Sequence, residues 1–344
     1  MDPVTRTFKT LFYLALLALL LLFLFLVGDL VKLMVVSVLL AYIIDPAAVF
    51  LESRGMTRTT STALIFLSFS ALAVIFITLL LPLLTKEITA IQEVIGSGEK
   101  AATFAAIDRM IQDNLAFLGI KHFSLSNKLQ GATEAFGNWF FSHLLDIASL
   151  ITNLVIIPFI VFFFLKDGRE IKKQFIRLVP NRYFEFSLNL LHKMDLQMGN
   201  YLRGQLLDAI IFGIMSVVVL WCLGVKYFLV IGIIAGIANL IPFLGPVAGA
   251  SAAVIVSVID RGDLTGAGLI VAAFVIMKLI DDTVVQPLVV ARSVDLHPLV
   301  VLLAVIVGGK FFGILGMLLS VPVTGFMKVV IVESTTALRR YRLT

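Results

Sequence analysis

Lys278, Asp281, Asp282 and Gln286 fall within MKLIDDTVVQP (Met277–Pro287), a stretch set in otherwise apolar sequence. Spacings of three and four put these side chains on one face of a helix. Pro287 has no amide hydrogen and displaces the carbonyl of Thr283. Two carboxylates, a carboxamide and a freed carbonyl make an oxygen-rich patch, suited to a small cation, a proton or a polyhydroxylated solute. An ionisable group at mid-bilayer costs about 2.5–3.5 kcal/mol on insertion scales, so its retention asks for a reason. A structural reason is also available. Lys278 can pair with Asp281 or Asp282 and make each tolerable in the membrane, or the patch can sit at the interface.

A second group lies in YLRGQLLDAI (Tyr201–Ile210), where Gln205 and Asp208 are three residues apart and Arg203 precedes them. Arg203 reads as a snorkelling cation at a helix end. Asp208 is the more costly residue and the better ligand candidate. A third group is GIANLIPFLGPVAGA (Gly236–Ala250), an apolar run carrying Asn239, Pro242, Gly245 and Pro246. By the proline rule Pro242 frees the carbonyl of Ala238, and Pro246 that of Pro242. Bare carbonyls in hydrocarbon cost several kcal/mol each, so a chain broken here is packed in protein or faces a wet cavity. Broken apolar segments are the best sequence pointer to a transporter's substrate site. Asn239 reads equally as a ligand and as a cap for the broken ends. GGKFFG (Gly308–Gly313) marks another break, with Gly308, Gly309, Lys310 and Gly313, and Lys310 can simply reach the surface. Asp146 and Asn153 share a face of their span, to line a path or to hydrogen-bond between helices.

The elements that position these groups follow from composition. Of 344 residues 60% are hydrophobic and 14% charged. Soluble domains are roughly half apolar and a quarter charged, so the class is an all-α polytopic integral membrane protein. Residues 1–84 read as three spans, the first over residues 11–27 and the second interrupted at Asp45–Pro46. Residues 85–138 form an amphipathic, helical extramembrane region on the non-cytoplasmic side, a docking arm between subunits or a solvated hairpin. A fourth span covers 139–165. Basic amphipathic helices follow over 166–201, and eight Lys/Arg against four Asp/Glu from Lys166 to Arg203 place them in the cytoplasm. Residues 202–344 form a motif-rich core. Within it, the apolar run Tyr227–Ile259 divides at IPFLGP into halves of roughly 22 Å, short of the ~30 Å hydrocarbon thickness. A re-entrant helical hairpin fits each broken block, giving about six to eight transmembrane helices. The termini are expected in the cytoplasm, and the location is the inner (plasma) membrane.

Other classes are disfavoured. The lone Cys222 excludes an intramolecular disulfide and a thiolate metal cluster, and the four histidines show no ligand spacing. There is no Gly-rich phosphate loop, and no nucleophile–base pair stands out. No catalytic residue, metal or cofactor is therefore assigned. The net charge of +5 reads as basic cytoplasmic loops and headgroup contact, not nucleic-acid binding.

YLRGQ (Tyr201–Gln205), NLIPFLGP (Asn239–Pro246), DDTVVQPLVVARSVDLHPL (Asp281–Leu299) and GGKFFGILGMLLSVPV (Gly308–Val323) together resemble the AI-2E family of autoinducer-2 exporters and related permeases. The KDG at Lys166–Gly168 also fits. The resemblance implies a multispanning permease without an ATPase, assembled as a homo-oligomer. It points to export of a small polar solute, such as the furanosyl quorum-sensing signal autoinducer-2. Sodium(lithium)/proton antiport is the alternative. Many members have an acid followed by Asn where this chain has Asp281–Asp282, and the second carboxylate tilts the site toward a cation or proton. On this reading Asn239 and Gln286 hold solute, while Asp208 or Asp282 couples to an ion. The hairpins around Pro242–Pro246 and Gly308–Gly313 move.

Overall fold

A computed structural model describes residues 12–13, 28–96, 147–261, 265–289 and 296–342. The helices among them are α1 (Gly28–Ser53), α2 (Arg58–Gly96), α3 (Ile147–Arg177), α4 (Phe184–Cys222), α5 (Phe228–Ala238), α6 (Leu244–Arg261), α7 (Thr265–Ile280), α8 (Gln286–Val289) and α9 (Pro298–Arg342). A 3-10 turn, Asn181–Tyr183, precedes α4, and a π-helical segment, Asp281–Val285, joins α7 to α8. Three stretches are long and apolar enough to cross a bilayer: Leu30–Ser53, Asn181–Cys222 and Pro298–Thr335. The protein is an all-α membrane protein. Most of the expected first span, residues 97–138 of the amphipathic region, the start of the fourth span with Asp146, and residues 290–295 lie outside the described residues.

The chain divides into two compact units, Met1–Ser70 with Ile151–Lys172, and Ala71–Leu150 with Lys173–Thr344. In the first, one guanidinium joins three helices. Arg58 donates to the Leu165 carbonyl at 2.8 Å and pairs with Asp45 at 2.6 Å and Glu52 at 3.4 Å. The interruption expected at Asp45–Pro46 is absent. Pro46 lies inside α1, and Asp45 is held by Arg58. α3 continues to Arg177, with Arg169 paired to Glu52 at 2.8 Å and Lys172 over the Tyr42 ring at 5.3 Å.

In the second unit α4, α5, α6 and α7 share one apolar core, which includes Phe212, Ile231, Ala235, Ala253, Ile270 and Phe274. α5 has 11 residues, about 16 Å of helix, so it reaches only about halfway through a ~30 Å hydrocarbon layer. α6 returns antiparallel to it. The Lys226–Asp260 ion pair, at 2.5 Å, closes the open end of this hairpin, and the Asp260 carboxylate raises the ammonium's pKa. Tyr227 precedes α5 in the left-handed region and offers no side-chain cap. The cap comes from elsewhere in the chain, where the Val230 N–H donates to the Glu87 carboxylate near the end of α2. Gly213 and Gly236 let α4 and α5 approach. A Cβ on Gly236 would lie 2.8 Å from the Gly213 Cα and 3.0 Å from the Ala209 carbonyl.

α9 is a second hairpin. Gly313, at φ 62° and ψ −144°, reverses the chain between two helical arms. Gly308 packs on Gly316, and Gly309 on Met317, where a Cβ would clash. Of the expected break GGKFFG, the turn itself is Gly313 alone. Pro322 lies within the returning arm, which continues as helix.

Gly236→Val is expected to force α4 and α5 apart and lower stability by about 1–3 kcal/mol. Gly268→Ala, which meets nothing within 4 Å, should be neutral or slightly stabilising; thermal denaturation in detergent compares the two. Burial holds the Glu87 carboxyl above its ordinary pKa against the opposing Val230 hydrogen bond. Folding therefore binds a proton more tightly there, and the ionised form weakens the fold as pH rises through that range. Glu87→Gln should raise the melting temperature at neutral pH, with the gain vanishing at acid pH; no gain at any pH would contradict this.

Candidate functional site

The site begins on one face of α4. Tyr201, Gln205 and Asp208, spaced four and three, point the same way and are 5%, 9% and 1% exposed. They face the tip of the α5–α6 hairpin. There Asn239, 2% exposed, donates from Nδ2 to Asp208 Oδ2 at 2.9 Å. Its backbone carbonyl accepts from Gln205 Nε2 at 2.7 Å. Two residues of one helix thus hold both the side chain and the backbone of the tip. Gly245, in the first turn of α6, leaves the room this needs, since a Cβ there would strike the Asn239 side chain and the Ala235 carbonyl.

The broken backbone is better satisfied than the prolines alone imply. The Ala238 carbonyl, expected to be free, accepts from the Ile241 N–H at 3.0 Å. The Ile237 and Ile241 carbonyls accept from Leu240 and Leu244, each at 3.1 Å. Tight turns replace the lost helical bonds. Pro246 is the third residue of α6, where the missing N–H has no intrahelical partner to lose, and the carbonyl of Pro242 lies outside any helix. The cost appears at Phe243, whose φ of 69° is unusual for a bulky side chain and costs about 1–3 kcal/mol. Its ring lies 5.6 Å from Lys278 Nζ, within cation–π range.

The third wall is the end of α7 and the π-helical segment. Lys278 Nζ lies 2.9 Å from Asp281 Oδ2 and 2.7 Å from Asp282 Oδ1. Gln286 Nε2 donates to both carboxylates at 3.2 Å. The wider turn, in which the Gln286 N–H reaches the Asp281 carbonyl, comes immediately before Pro287. Asp281 is fully buried, whereas the Asp282 side chain is 46% exposed. Asp281 is close enough to Asp208 for the two carboxyls to interact directly. Beside this cluster, against α4 and α5, runs a groove of about 340 Å³ lined by apolar residues, among them Ala209, Gly213, Ile233 and Ile237.

The structure gathers Gln205, Asp208, Asn239, Lys278, Asp281, Asp282 and Gln286 around one point. Arg203 does not join them and bonds Asn200 at 2.9 Å. Lys310 is exposed on the first arm of α9. Gly308 and Gly309 pack that arm against its partner. Tyr201 and Phe243 were not singled out from sequence. Tyr201 was legible, being four residues before Gln205 and seven before Asp208. Phe243 was not, because nothing in IPFLGP marks its backbone conformation. Asn239→Ala removes the one side-chain donor bonded to Asp208 and leaves a buried carboxylate oxygen bare. It should cost about 1–3 kcal/mol in detergent melting, with Asn239→Gln recovering part of that loss.

Comparison with known proteins matches nearly the whole chain. The family model for the AI-2E family transporter matches residues 13–335. YueF of Bacillus subtilis (strain 168), provisionally named a transport protein, is 30% identical over 86% of this chain and 81% of its own length. YrrI of the same organism, named in the same way, is 27% identical over 87% and 85%. PerM of Escherichia coli (strain K12), provisionally named a permease, is 26% identical over 87% and 85%. The match of the family model over almost the whole chain places this protein in the AI-2E transporter family.

Proposed function

We propose that the protein is a secondary permease that exports a small polar solute of the autoinducer-2 type across the inner (plasma) membrane, with both termini cytoplasmic and the chain assembled as a homo-oligomer. The observation that supports this most is the closed polar cluster where the α5–α6 tip meets α4 and the π-helical segment. A hydroxylated solute needs hydrogen-bond partners of both kinds once it leaves water. Asn239, Gln205 and Gln286 supply donors, and Asp208, Asp281 and Asp282 supply acceptors. In the closed state these groups bond one another through Asn239, Gln205 and Gln286. Solute entry exchanges those bonds for bonds to its hydroxyls, and the hairpin tip moves as Asn239 leaves Asp208. The neighbouring groove is too apolar to serve such a solute. Preference for one of the two sides comes from differential affinity of the two states, as alternating access requires.

A second reading, monovalent cation/proton antiport, is supported by the charge balance. Three carboxylates converge on a single ammonium, Lys278. In proteoliposomes carrying a pH-sensitive dye, the exporter reading expects efflux of a small furanose independent of sodium. Asn239→Ala should slow that efflux by roughly tenfold or more, the equivalent of ~1.4 kcal/mol in the barrier. Proton movement driven by sodium or lithium, with no solute flux across a furanose panel, would favour the antiporter instead.

A further inference from the structure

Among the described residues, each buried carboxylate in the cluster has one oxygen without a hydrogen-bond partner. Asp208 Oδ2 is held by Asn239, and Asp281 Oδ2 by Lys278 and Gln286. Asp208 Oδ1 and Asp281 Oδ1 are buried without a partner. The two carboxyls lie where α4 packs against the π-helical segment, close enough to interact. Two ionised carboxylates cannot be held together in a site from which water is excluded. The donors already present on the facing elements are committed: Asn239 at the hairpin tip, Lys278 on α7 and Gln286 on α8. Asp282, another charge nearby among the described residues, has a side chain 46% exposed and shares Lys278. The Tyr201 hydroxyl, on the same helix as Asp208 and electrostatically coupled to it, is also buried without a partner. α9 brings Pro322 and Phe326 beside Tyr201, and its Glu333 is occupied by Lys193 at 2.6 Å.

We propose that Asp208 and Asp281 hold a single proton between their two unsatisfied oxygens, and that this proton is the ion the transporter exchanges between the two sides of the membrane. The shared proton turns an acceptor–acceptor contact into a hydrogen bond and leaves one negative charge on the pair, beside the Lys278 ammonium that Asp282 also faces. The proton leaves to water on one side and is replaced by another from the opposite side. When it leaves, two buried carboxylates repel across the gap between α4 and the π-helical segment. Asn239 ties the hairpin tip to Asp208, so the repulsion is delivered to the moving element. The exchange step rests on the transporter reading above; the shared proton does not.

Infrared spectroscopy of the purified full chain, with isotope-labelled aspartate carboxyls to separate them from glutamate, reads the proton directly. The expected result at neutral pH is a carbonyl band of a protonated aspartate in the wild type. That band should be lost in Asp208→Asn and in Asp281→Asn alike and retained in Asp282→Asn. Absence of the band from the wild type, its survival in either of the first two variants, or its loss in Asp282→Asn would overturn the proposal. If the Asn variants do not fold, Asp208→Glu and Asp281→Glu keep the acid and should each shift the labelled band; an unmoved band in both would overturn it equally. Proteoliposomes with an internal pH dye then test exchange. Solute efflux accompanied by proton movement supports it. The expected band without proton movement overturns the exchange step and leaves the shared proton standing.

Discussion

The rest of the structure depends on one electrostatic constraint: a charge buried in an apolar bundle must be neutralised by neighbours that the fold itself supplies. Water cannot reach Asp281 and scarcely touches Asp208, so hydration stabilises neither. The fold answers with Lys278, Gln286 and Asn239, drawn from three separate elements. Such a cluster contributes little net stability, because desolvation offsets most of the attraction. Its value lies in specificity. The tip of the α5–α6 hairpin has one place where Asn239 can both donate to Asp208 and accept from Gln205, and that place sets the register of the hairpin on α4.

The same constraint governs the backbone. A chain that breaks inside a membrane exposes carbonyls and amides that hydrocarbon cannot satisfy. Here the break is closed by consecutive tight turns, with Phe243 accepting an unfavourable conformation. Glycine makes the geometry feasible in two ways. Gly236 and Gly213 remove the side chains that would hold α5 away from α4, and Gly245 clears the volume that Asn239 occupies. The π-helical segment does comparable work on the opposite wall. Its extra residue per turn lies immediately before Pro287, so one local distortion both places Asp281 and accommodates the proline. Strain and small residues therefore concentrate where two walls and a hairpin tip converge.

Charge sorting also organises the first unit, among partly buried groups. Arg58 joins α1, α2 and α3 through two acids and a carbonyl. Its planar fork of donors can serve several acceptors at once, which an ammonium cannot do with the same geometry. This explains why α1 runs through Pro46 without a break and why α3 persists as helix beyond its apolar stretch. At Pro46 the local sequence signal favoured interruption, and the helix runs through it with Asp45 held by Arg58.

Sequence alone determined the class of the protein, the position of its broken segments and the identity of nearly every residue in the cluster. Hydropathy and helical period are local properties, and a charged or amide side chain in an apolar run is conspicuous wherever it stands. The spacing of Lys278, Asp281, Asp282 and Gln286 even announced their mutual contacts, because all four ride on one helix. Tertiary structure decided what no local rule carries. It brought Asp208 near Asp281 and Asn239 against Asp208, set Arg203 and Lys310 aside, and found a partner for the Ala238 carbonyl that the proline rule had left bare. These outcomes turn on which faces of distant helices meet. That is settled by the packing of Phe212, Ala235 and Phe274 and by glycines that permit close approach, not by any property readable within one helical turn.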